Sequence, residues 1–152
     1  ERLRQASGYA TNIHFIVHKT YAELPSIYRS AGAFVHPSWR DEWGLVVNEA
    51  MAAGLPVLVS KRAGCSAELV ENGVNGLTFD PCDADGLAAL MRKIATECDR
   101  QAMGRASLRS IARWDVDRFA SGLSEAAQMA MQSPRGCCLT GSVFAAAMSR
   151  RA

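Results

Sequence analysis

The chain has 152 residues, about the size of one domain, with 17 Lys and Arg residues against 15 Asp and Glu residues. Almost half of the residues, 49%, are hydrophobic, which excludes a chain that is disordered or of low complexity throughout. No helix or stripe concentrates Lys and Arg, so nucleic acid is not expected as a partner. The longest apolar stretch, from Leu45 to Val59, is interrupted by Asn48, Glu49 and Pro56, so no transmembrane segment is predicted.

The cysteines indicate a reducing compartment. There are five, they are scattered along the chain, and none forms a Cys-x-x-Cys pair, which favours reduced thiols over a disulfide scaffold. The charged start, Glu1 to Arg4, is not followed by an apolar segment and predicts no secretory signal. We therefore expect a cytoplasmic protein, and peripheral attachment to a membrane is left open.

Short apolar runs alternate with segments of helical periodicity along the chain. Strands are predicted at 13–18, 33–36, 57–59 and 76–79, and helices at 23–31, 45–53, 65–71 and over 83–131 with breaks near Cys98 and Trp114. This alternation predicts an α/β fold, a Rossmann-like parallel sheet with helices on both faces. Because nucleotide-binding domains of this class usually have five or six strands, four strands indicate a domain over 1–132 that is truncated at its start. The tail over 133–152 has no clear periodicity and is predicted to be poorly ordered.

The segment from His36 to Ser60 carries most of the chemical information. The loop at 37–43 follows a strand, at the edge of a parallel sheet where ligands bind. The next helix begins near Gly44, Leu45 and Val46, and its first N–H groups lack intrahelical partners. Together with the helix dipole they form a site for an anion such as a diphosphate. Since Gly44 has no Cβ, a ligand can approach the backbone closely there.

Glu49 is the unusual residue of this helix. Helical spacing places it one turn below Leu45 and beside Ala52 and Ala53, on a face expected to pack inward. Solvation is the usual fate of a helical glutamate, but a carboxylate among small apolar neighbours needs a partner. The two hydroxyls of a ribose could supply it, and Asp41, eight positions earlier, could reach the sugar end of the same ligand.

Two other ligand classes find no support in the chain. No Gly-x-Gly-x-x-Gly run follows a strand and no Walker-type run is present, which argues against a nicotinamide-binding domain and a P-loop. His14 and His18 share a face of the predicted strand at 13–18, but no third metal ligand is evident. We therefore predict no metal site.

The segment from 37 to 57 resembles the signature of retaining glycosyltransferases of the group 1 (family 4) type, which have the GT-B architecture. That signature reads Pro-Ser, an acid, two residues to Gly-Leu, then Glu-Ala-Met-Ala, Gly and Pro-Val. Residues 64–70 and 72–77 resemble the two segments that follow it in the family, and Trp114-Asp115 resembles the pattern before its final helix. The resemblance covers about 130 residues with several motifs in one order, far more than a lone motif.

The resemblance assigns roles to individual residues. It implies that Asp41 and Glu49 are the catalytic acids, Asp41 contacting the donor sugar and Glu49 its ribose. It further implies donor-binding backbone groups at Trp43, Gly44, Leu45 and Val46, and a position at the border of the base pocket for Lys19. The family has glutamate where this chain has Asp41, which is one methylene shorter, so two alternatives stay open: the neighbouring Glu42 serves as the first acid, or activity is reduced.

The resemblance also implies an activity. A sugar would pass from a UDP- or GDP-sugar to an acceptor hydroxyl with retention of the anomeric configuration. No metal or other cofactor is expected, because helix N–H groups and nearby cations can stabilise the departing diphosphate. The acceptor, a glycan or a lipid-linked group, would be bound by an N-terminal domain that this chain lacks, so the chain is expected to be inactive alone. The alternative function is a catalytically silent module that binds a sugar nucleotide or a partner domain.

Overall fold

The computed structural model describes Gln5 and residues 8–132, and these described residues divide into two compact units, the first ending at Ala112 and the second beginning at Arg113. The predicted tail at 133–152 lies outside the described residues. The first unit contains a 3-10 turn Ala10–Asn12, helix α1 Leu24–Ser30, strand β1 Phe34–His36, helix α2 Leu45–Ala52, strand β2 Val57–Ser60, helix α3 Ser66–Leu69, strand β3 Gly76–Phe79, helix α4 Ala84–Thr96 and helix α5 Arg100–Ile111. The second unit contains helix α6 Val116–Gln132. No helix in this described part is long and apolar enough to cross a membrane.

The three strands form a parallel sheet in the order β1-β2-β3. In its register Leu58 of β2 lies between Val35 of β1 and Leu77 of β3. All four residues of β2 are buried, as the continuous apolar run predicted. Parallel strands need crossover connections, and α2 and α3 follow β1 and β2 in that role.

Helices cover both faces of the sheet, which confirms the predicted Rossmann-like class. On one face Val57 and Val59 belong to a core cluster with Val47 and Met51 of α2 and with Leu69 of α3. On the other face Leu58 and Phe79 cluster with Ile94 of α4 and Met103 of α5. Each of these fully buried apolar side chains contributes about 1.5–3 kcal/mol to folding, so the sheet is held from both sides.

A buried hydrogen bond joins α5 to the segment that follows the C-terminus of α2. The hydroxyl of Ser107 donates to the carbonyl oxygen of Leu55 at 2.7 Å, just before β2, and Asn75 O lies 3.3 Å from the same hydroxyl. Gly104 of α5 packs on the backbone of Gly54, where a Cβ would collide with the carbonyl oxygen. These contacts set the turn from α2 into β2.

One predicted strand is wrong. Residues 13–18 form no strand in the structure, and Phe15, Ile16 and Val17 are 66%, 60% and 79% exposed. The β-propensity of such a run expresses its fit to a half-buried pleated surface, and these side chains are not covered by one. The sheet in the described residues therefore has three strands where four were predicted, and His14 and His18 do not share a strand face.

The other predicted elements are confirmed with small changes of bounds. Helix α3 is shorter than the predicted 65–71, because Val70 already has an extended backbone. The predicted breaks near Cys98 and Trp114 fall between α4 and α5 and before α6. Asp83 and Asp99 explain two helix starts, since each carboxylate accepts a backbone N–H bond from the first turn.

Candidate functional site

Gly44 forms the junction between the loop after β1 and helix α2. Its φ of +93° lies in the left-handed region that favours glycine, and it precedes the first helical residue. A Cβ there would lie 3.2 Å from Nε2 of His36 and 3.4 Å from Sγ of Cys65. The backbone conformation therefore favours glycine at this position, and the close approach of His36 adds to that preference. The sequence analysis predicted close approach of a ligand here, whereas the structure shows close approach of protein side chains.

Asp41 is held by His36 at the end of β1 and by the backbone of its own loop. Its Oδ2 lies 3.0 Å from Nε2 of His36, and its Oδ1 accepts the backbone N–H of Trp43 at 3.2 Å. The His36 side chain is only 14% exposed and that of Asp41 is 33% exposed. Burial and the nearby Asp41 charge raise the pKa of the Cys65 thiol to about 11, so this thiol stays neutral at physiological pH.

The loops after β1 and β2 are joined by their backbones. The N–H of Gly64 donates to the carbonyl oxygen of Asp41 at 2.9 Å, and the N–H of Cys65 donates to that of Trp43 at 3.0 Å. The indole N–H of Trp43 donates to Asn48 Oδ1 at 3.0 Å. The backbone of Trp43 is thus engaged within the protein on both sides, although the resemblance implied that it meets the donor.

The first turn of α2 contains one backbone hydrogen bond that bears on the predicted anion site. Val47 is the first residue whose N–H bonds back into this turn, to Gly44 O at 2.9 Å. The preceding amides of Gly44, Leu45 and Val46 belong to the set that an α-helix leaves without intrahelical acceptors. The expectation that Leu45 packs inward is wrong, because its side chain is 68% exposed. The reason is that the buried face of α2 is formed by Val47, Ala50 and Met51 instead.

Glu49 is half-buried and its carboxylate is bound by two phenols. The hydroxyl of Tyr28 donates to Oε2 at 2.9 Å, and the hydroxyl of Tyr21 donates to Oε1 at 3.1 Å. Tyr28 comes from α1, and Tyr21 comes from the turn before it. The predicted need for a partner is therefore met within the protein. The sequence analysis missed both tyrosines, because Tyr21 precedes α1 and no helical spacing relates it to Tyr28.

The two tyrosines respond differently to this carboxylate. Partial burial is the first cause that raises the pKa of Tyr28 to about 12, and hydrogen bonding to Glu49 adds to it. The pKa of Tyr21 is raised chiefly by its hydrogen bond to Glu49 and then by the charge of that residue. Both phenols thus stay protonated near neutral pH and act as hydrogen-bond donors.

Glu49 and the tyrosines line a groove between α1 and α2. Its volume is about 290 Å³, and its lining consists of Tyr21, Leu24, Pro25, Tyr28, Arg29, Glu49, Ala52 and Ala53. Apart from the tyrosine hydroxyls, Arg29 and Glu49, the walls are apolar. A mostly apolar cleft with a few fixed polar groups is the usual form of a small-molecule site. The cleft lies beside the helix whose N-terminus presents the amides described above.

Lys19 does not line this groove. Its Nζ lies 3.1 Å from Oε1 of Glu23, and the other carboxylate oxygen of Glu23 accepts the backbone N–H and the hydroxyl of Thr20 at 2.9 and 2.8 Å. These hydrogen bonds, first among them that from the Thr20 backbone, lower the pKa of Glu23. Lys19 therefore helps to hold the turn that carries Tyr21, and its predicted place at a base pocket stays a prediction.

Asp41 lines a second, shallower cavity of about 360 Å³ beside the loop after β2. Lys61 and Arg62 contribute cations to its wall, and Glu42 contributes a carboxylate. The Arg62 guanidinium lies 4.0 Å from the centre of the Trp39 ring, a cation–π contact. Glu42 is 88% exposed and paired with Arg40 at 3.3 Å. The structure thus places Asp41 and Glu49 in two different cavities, with Gly44 between them in sequence.

The side chains that commonly bind metal ions are not clustered in the described residues. Among the residues that the structure describes, no set of three or more His, Cys, Asp or Glu side chains is arranged to hold a metal ion. The three cysteines in this part of the chain, Cys65, Cys82 and Cys98, are free thiols. In the described residues, a ligand could therefore contact the backbone at the start of α2, the fixed carboxylates of Asp41 and Glu49, and the apolar groove.

A substitution at Gly44 tests the constraint at the head of α2. We expect Gly44→Ala to destabilise the fold more than Gly73→Ala, by roughly 1–3 kcal/mol, because crowding against His36 and Cys65 adds to the backbone strain. Gly73 is the matched control, since its φ is +82° and nothing lies within 4 Å of its Cβ position. Urea unfolding followed by circular dichroism measures both losses, and equal losses would contradict the packing argument.

Removal of the Glu49 carboxylate separates the causes of the two tyrosine shifts. In Glu49→Ala we expect the pKa of Tyr21 to return close to the ordinary value of 10.0, while that of Tyr28 falls only part of the way because burial remains. Residue-specific NMR titration of ¹³Cζ-labelled tyrosines measures both, with the exposed Glu97→Ala as control. Unchanged tyrosine titrations in Glu49→Ala would contradict the described contacts.

The raised pKa of Tyr28 also predicts a contribution to the stability of the folded state that is complete below pH 10 and is lost as pH rises towards 12.

Comparisons with known proteins identify the family of the chain. The family described as glycosyl transferases group 1 matches residues 1–108. The chain is 30% identical over 126 residues to a D-inositol 3-phosphate glycosyltransferase of Corynebacterium kroppenstedtii, covering 82% of this chain and 28% of that protein.

Solved structures give the same result for the fold. The sucrose-phosphate synthase of Thermosynechococcus elongatus has a TM-score of 0.75 and 24% identity, over 88% of this chain and 34% of its own. Anabaena HepE, solved in complex with UDP, has a TM-score of 0.72 and 25% identity, over 84% of this chain and 35% of its own. The chain thus spans about a third or less of these relatives. With its Rossmann-like sheet and the motif at the head of α2, the chain belongs to the group 1 glycosyltransferases, a family of GT-B architecture.

Proposed function

We propose that the chain is the donor-binding part of a glycosyltransferase that takes its sugar from a nucleoside diphosphate sugar. The observation that carries the proposal is the Glu49 carboxylate, fixed by two phenolic donors about one helical turn after the N-terminus of α2. Four residues of helix rise about 6 Å, which suits a ligand with a ribose at one end and a diphosphate at the other. The complex of the related HepE with UDP supports this ligand class.

In this proposal the diphosphate binds at the N-terminus of α2. The amides of Gly44, Leu45 and Val46 and the positive end of the helix dipole favour negative charge there. Lys61 and Arg62, on the loop after β2, add positive charge at the same edge of the sheet. Preorganised donors of this kind stabilise the charge that develops on a departing diphosphate, so we expect no requirement for a metal.

The acids take different parts in the reaction. Glu49 receives the ribose hydroxyls, and Asp41 contacts the sugar from the loop after β1. Transfer proceeds through an oxocarbenium-like sugar, and we propose that it retains the anomeric configuration, as the family resemblance implies. Most of the length of the relatives lies outside the matched region, so we propose that acceptor binding needs additional sequence and that this chain alone binds donor without transferring sugar.

A second candidate function is a silent module that binds a sugar nucleotide without turnover. The observation that favours it is the engagement of both Asp41 oxygens, by His36 and by the Trp43 amide. Because both oxygens of this short side chain are engaged, Asp41 would have to give up protein hydrogen bonds in order to contact a sugar. Glu42, exposed and adjacent, is the alternative acid for the first position.

The nucleotide site is tested by calorimetric titration of the purified chain with UDP and with GDP. We expect saturable binding of one of them that weakens about tenfold in Glu49→Ala, since a hydrogen bond to a charged group is lost. The exposed Glu97→Ala is the control for a general effect of charge. Absence of binding by a chain with a cooperative unfolding transition would contradict the proposal.

The role of the first acid is tested by the affinity ratio between a nucleotide sugar and its free diphosphate. UDP-glucose against UDP and GDP-mannose against GDP are suitable probes, because only the sugar differs within each pair. We expect Asp41→Asn to lower this ratio several-fold and Glu42→Gln to leave it unchanged. The reverse result would assign the sugar contact to Glu42. A ratio unaffected by either change would favour the silent module.

A further inference from the structure

The two phenols on Glu49 are held very differently, although they bind the same carboxylate. Tyr28 is half-buried on α1, and its ring packs edge-on against Phe34 of β1, with the ring centres 5.9 Å apart and an angle of 67°. Phe34 in turn packs on the main core cluster. The Tyr28 hydroxyl therefore cannot leave Glu49 without loss of aromatic packing against the sheet.

Tyr21 lies at the surface, with 81% of its side chain exposed. Its backbone is held in a turn, because the Glu23 carboxylate, two residues after Tyr21, accepts hydrogen bonds from Lys19 and Thr20, which precede it. The side chain can therefore rotate away from Glu49 without movement of the chain. Its hydrogen bond, at 3.1 Å, is also the longer of the two.

The carboxylate has room for a limited set of donors. Its two oxygens offer about four lone-pair positions, so the two phenols and the two hydroxyls of a ribose would together have to crowd into every one of them. Exchange of the Tyr21 hydroxyl for a ribose hydroxyl conserves the number of hydrogen bonds to Glu49, so the exchange costs little. Loss of Tyr28 would leave the carboxylate free to turn.

We propose that Tyr28 is the positioning residue that orients Glu49 towards the donor ribose, and that the Tyr21 hydroxyl occupies a ribose hydroxyl position until the donor displaces it. The inference rests on the proposed function, since it concerns the same nucleotide site. It adds that donor recognition involves a fixed phenol and an exchangeable one.

The test compares ribonucleotides with their deoxy forms. UDP, 2′-deoxy-UDP and 3′-deoxy-UDP, and the same three forms of GDP, are titrated into the unmodified chain and into Tyr28→Phe, Tyr21→Phe and Glu49→Ala. Phenylalanine keeps the ring and removes only the hydroxyl. Tyr9→Phe is the matched control, because Tyr9 is not part of the groove lining.

The ratio between ribo- and deoxy-nucleotide affinity is the decisive quantity. We expect a preference of about tenfold for the ribonucleotide in the unmodified chain, and its loss in Tyr28→Phe to the level of Glu49→Ala. Tyr21→Phe should keep the preference and bind the ribonucleotide as tightly or more tightly. A role of Tyr28 in packing alone would change the affinity for all nucleotides equally and leave this ratio as it was.

The outcomes separate the two proposals. Glu49-dependent nucleotide binding with an unchanged ratio in Tyr28→Phe overturns the inference and leaves the proposed function intact, as does equal binding of ribo- and deoxy-forms by the unmodified chain. Absence of Glu49-dependent binding overturns both. If Tyr28→Phe does not fold, ¹³Cζ tyrosine NMR of the unmodified chain decides. Addition of nucleotide should shift the Tyr21 signal and leave that of Tyr28, and the opposite pattern overturns the inference.

Discussion

The backbone of Gly44 turns from the loop after β1 into α2 with a φ of +93°, while His36, Asp41 and Cys65 pack close to its Cα. Side chains rarely tolerate this conformation, so glycine is favoured for both the turn and the packing. This turn sets the direction in which α2 leaves the loop, and therefore the orientation of the first backbone N–H groups of the helix. Glu49 follows one turn later. Both halves of the candidate site thus depend on a residue without a side chain.

The two acids are held by the protein before any ligand arrives, but by different elements. Asp41 is bound by His36 at the end of β1 and by the Trp43 amide of its own loop, and this loop is joined to the next by backbone hydrogen bonds. Glu49 is bound from another helix, through Tyr28 and Tyr21. Half-buried carboxylates need such donors to offset their loss of hydration. The same donors orient them, which lowers the reorganisation that a ligand would have to cause.

The core connects these contacts to the stability of the sheet. Tyr28 reaches Glu49 with its hydroxyl and Phe34 with its ring, so the packing of α1 on β1 also sets the geometry of the carboxylate. Buried β2 provides the surface on which α2 rests, through Val57 and Val59. The site is therefore placed by rigid elements, and its exposed component, Tyr21, is the part able to exchange.

The amino-acid sequence by itself determined the α/β class, three of the four predicted strands, the helix bounds to within a few residues and the family. These follow from local periodicity and from motifs that are contiguous in the chain. The tertiary structure decided that residues 13–18 do not join the sheet, that Leu45 faces outward, and that Tyr21 and Tyr28 bind Glu49. Glu49 is separated in sequence by 28 positions from Tyr21 and by 21 positions from Tyr28. Burial and hydrogen bonding over such separations depend on how helices pack, and no local pattern encodes that packing.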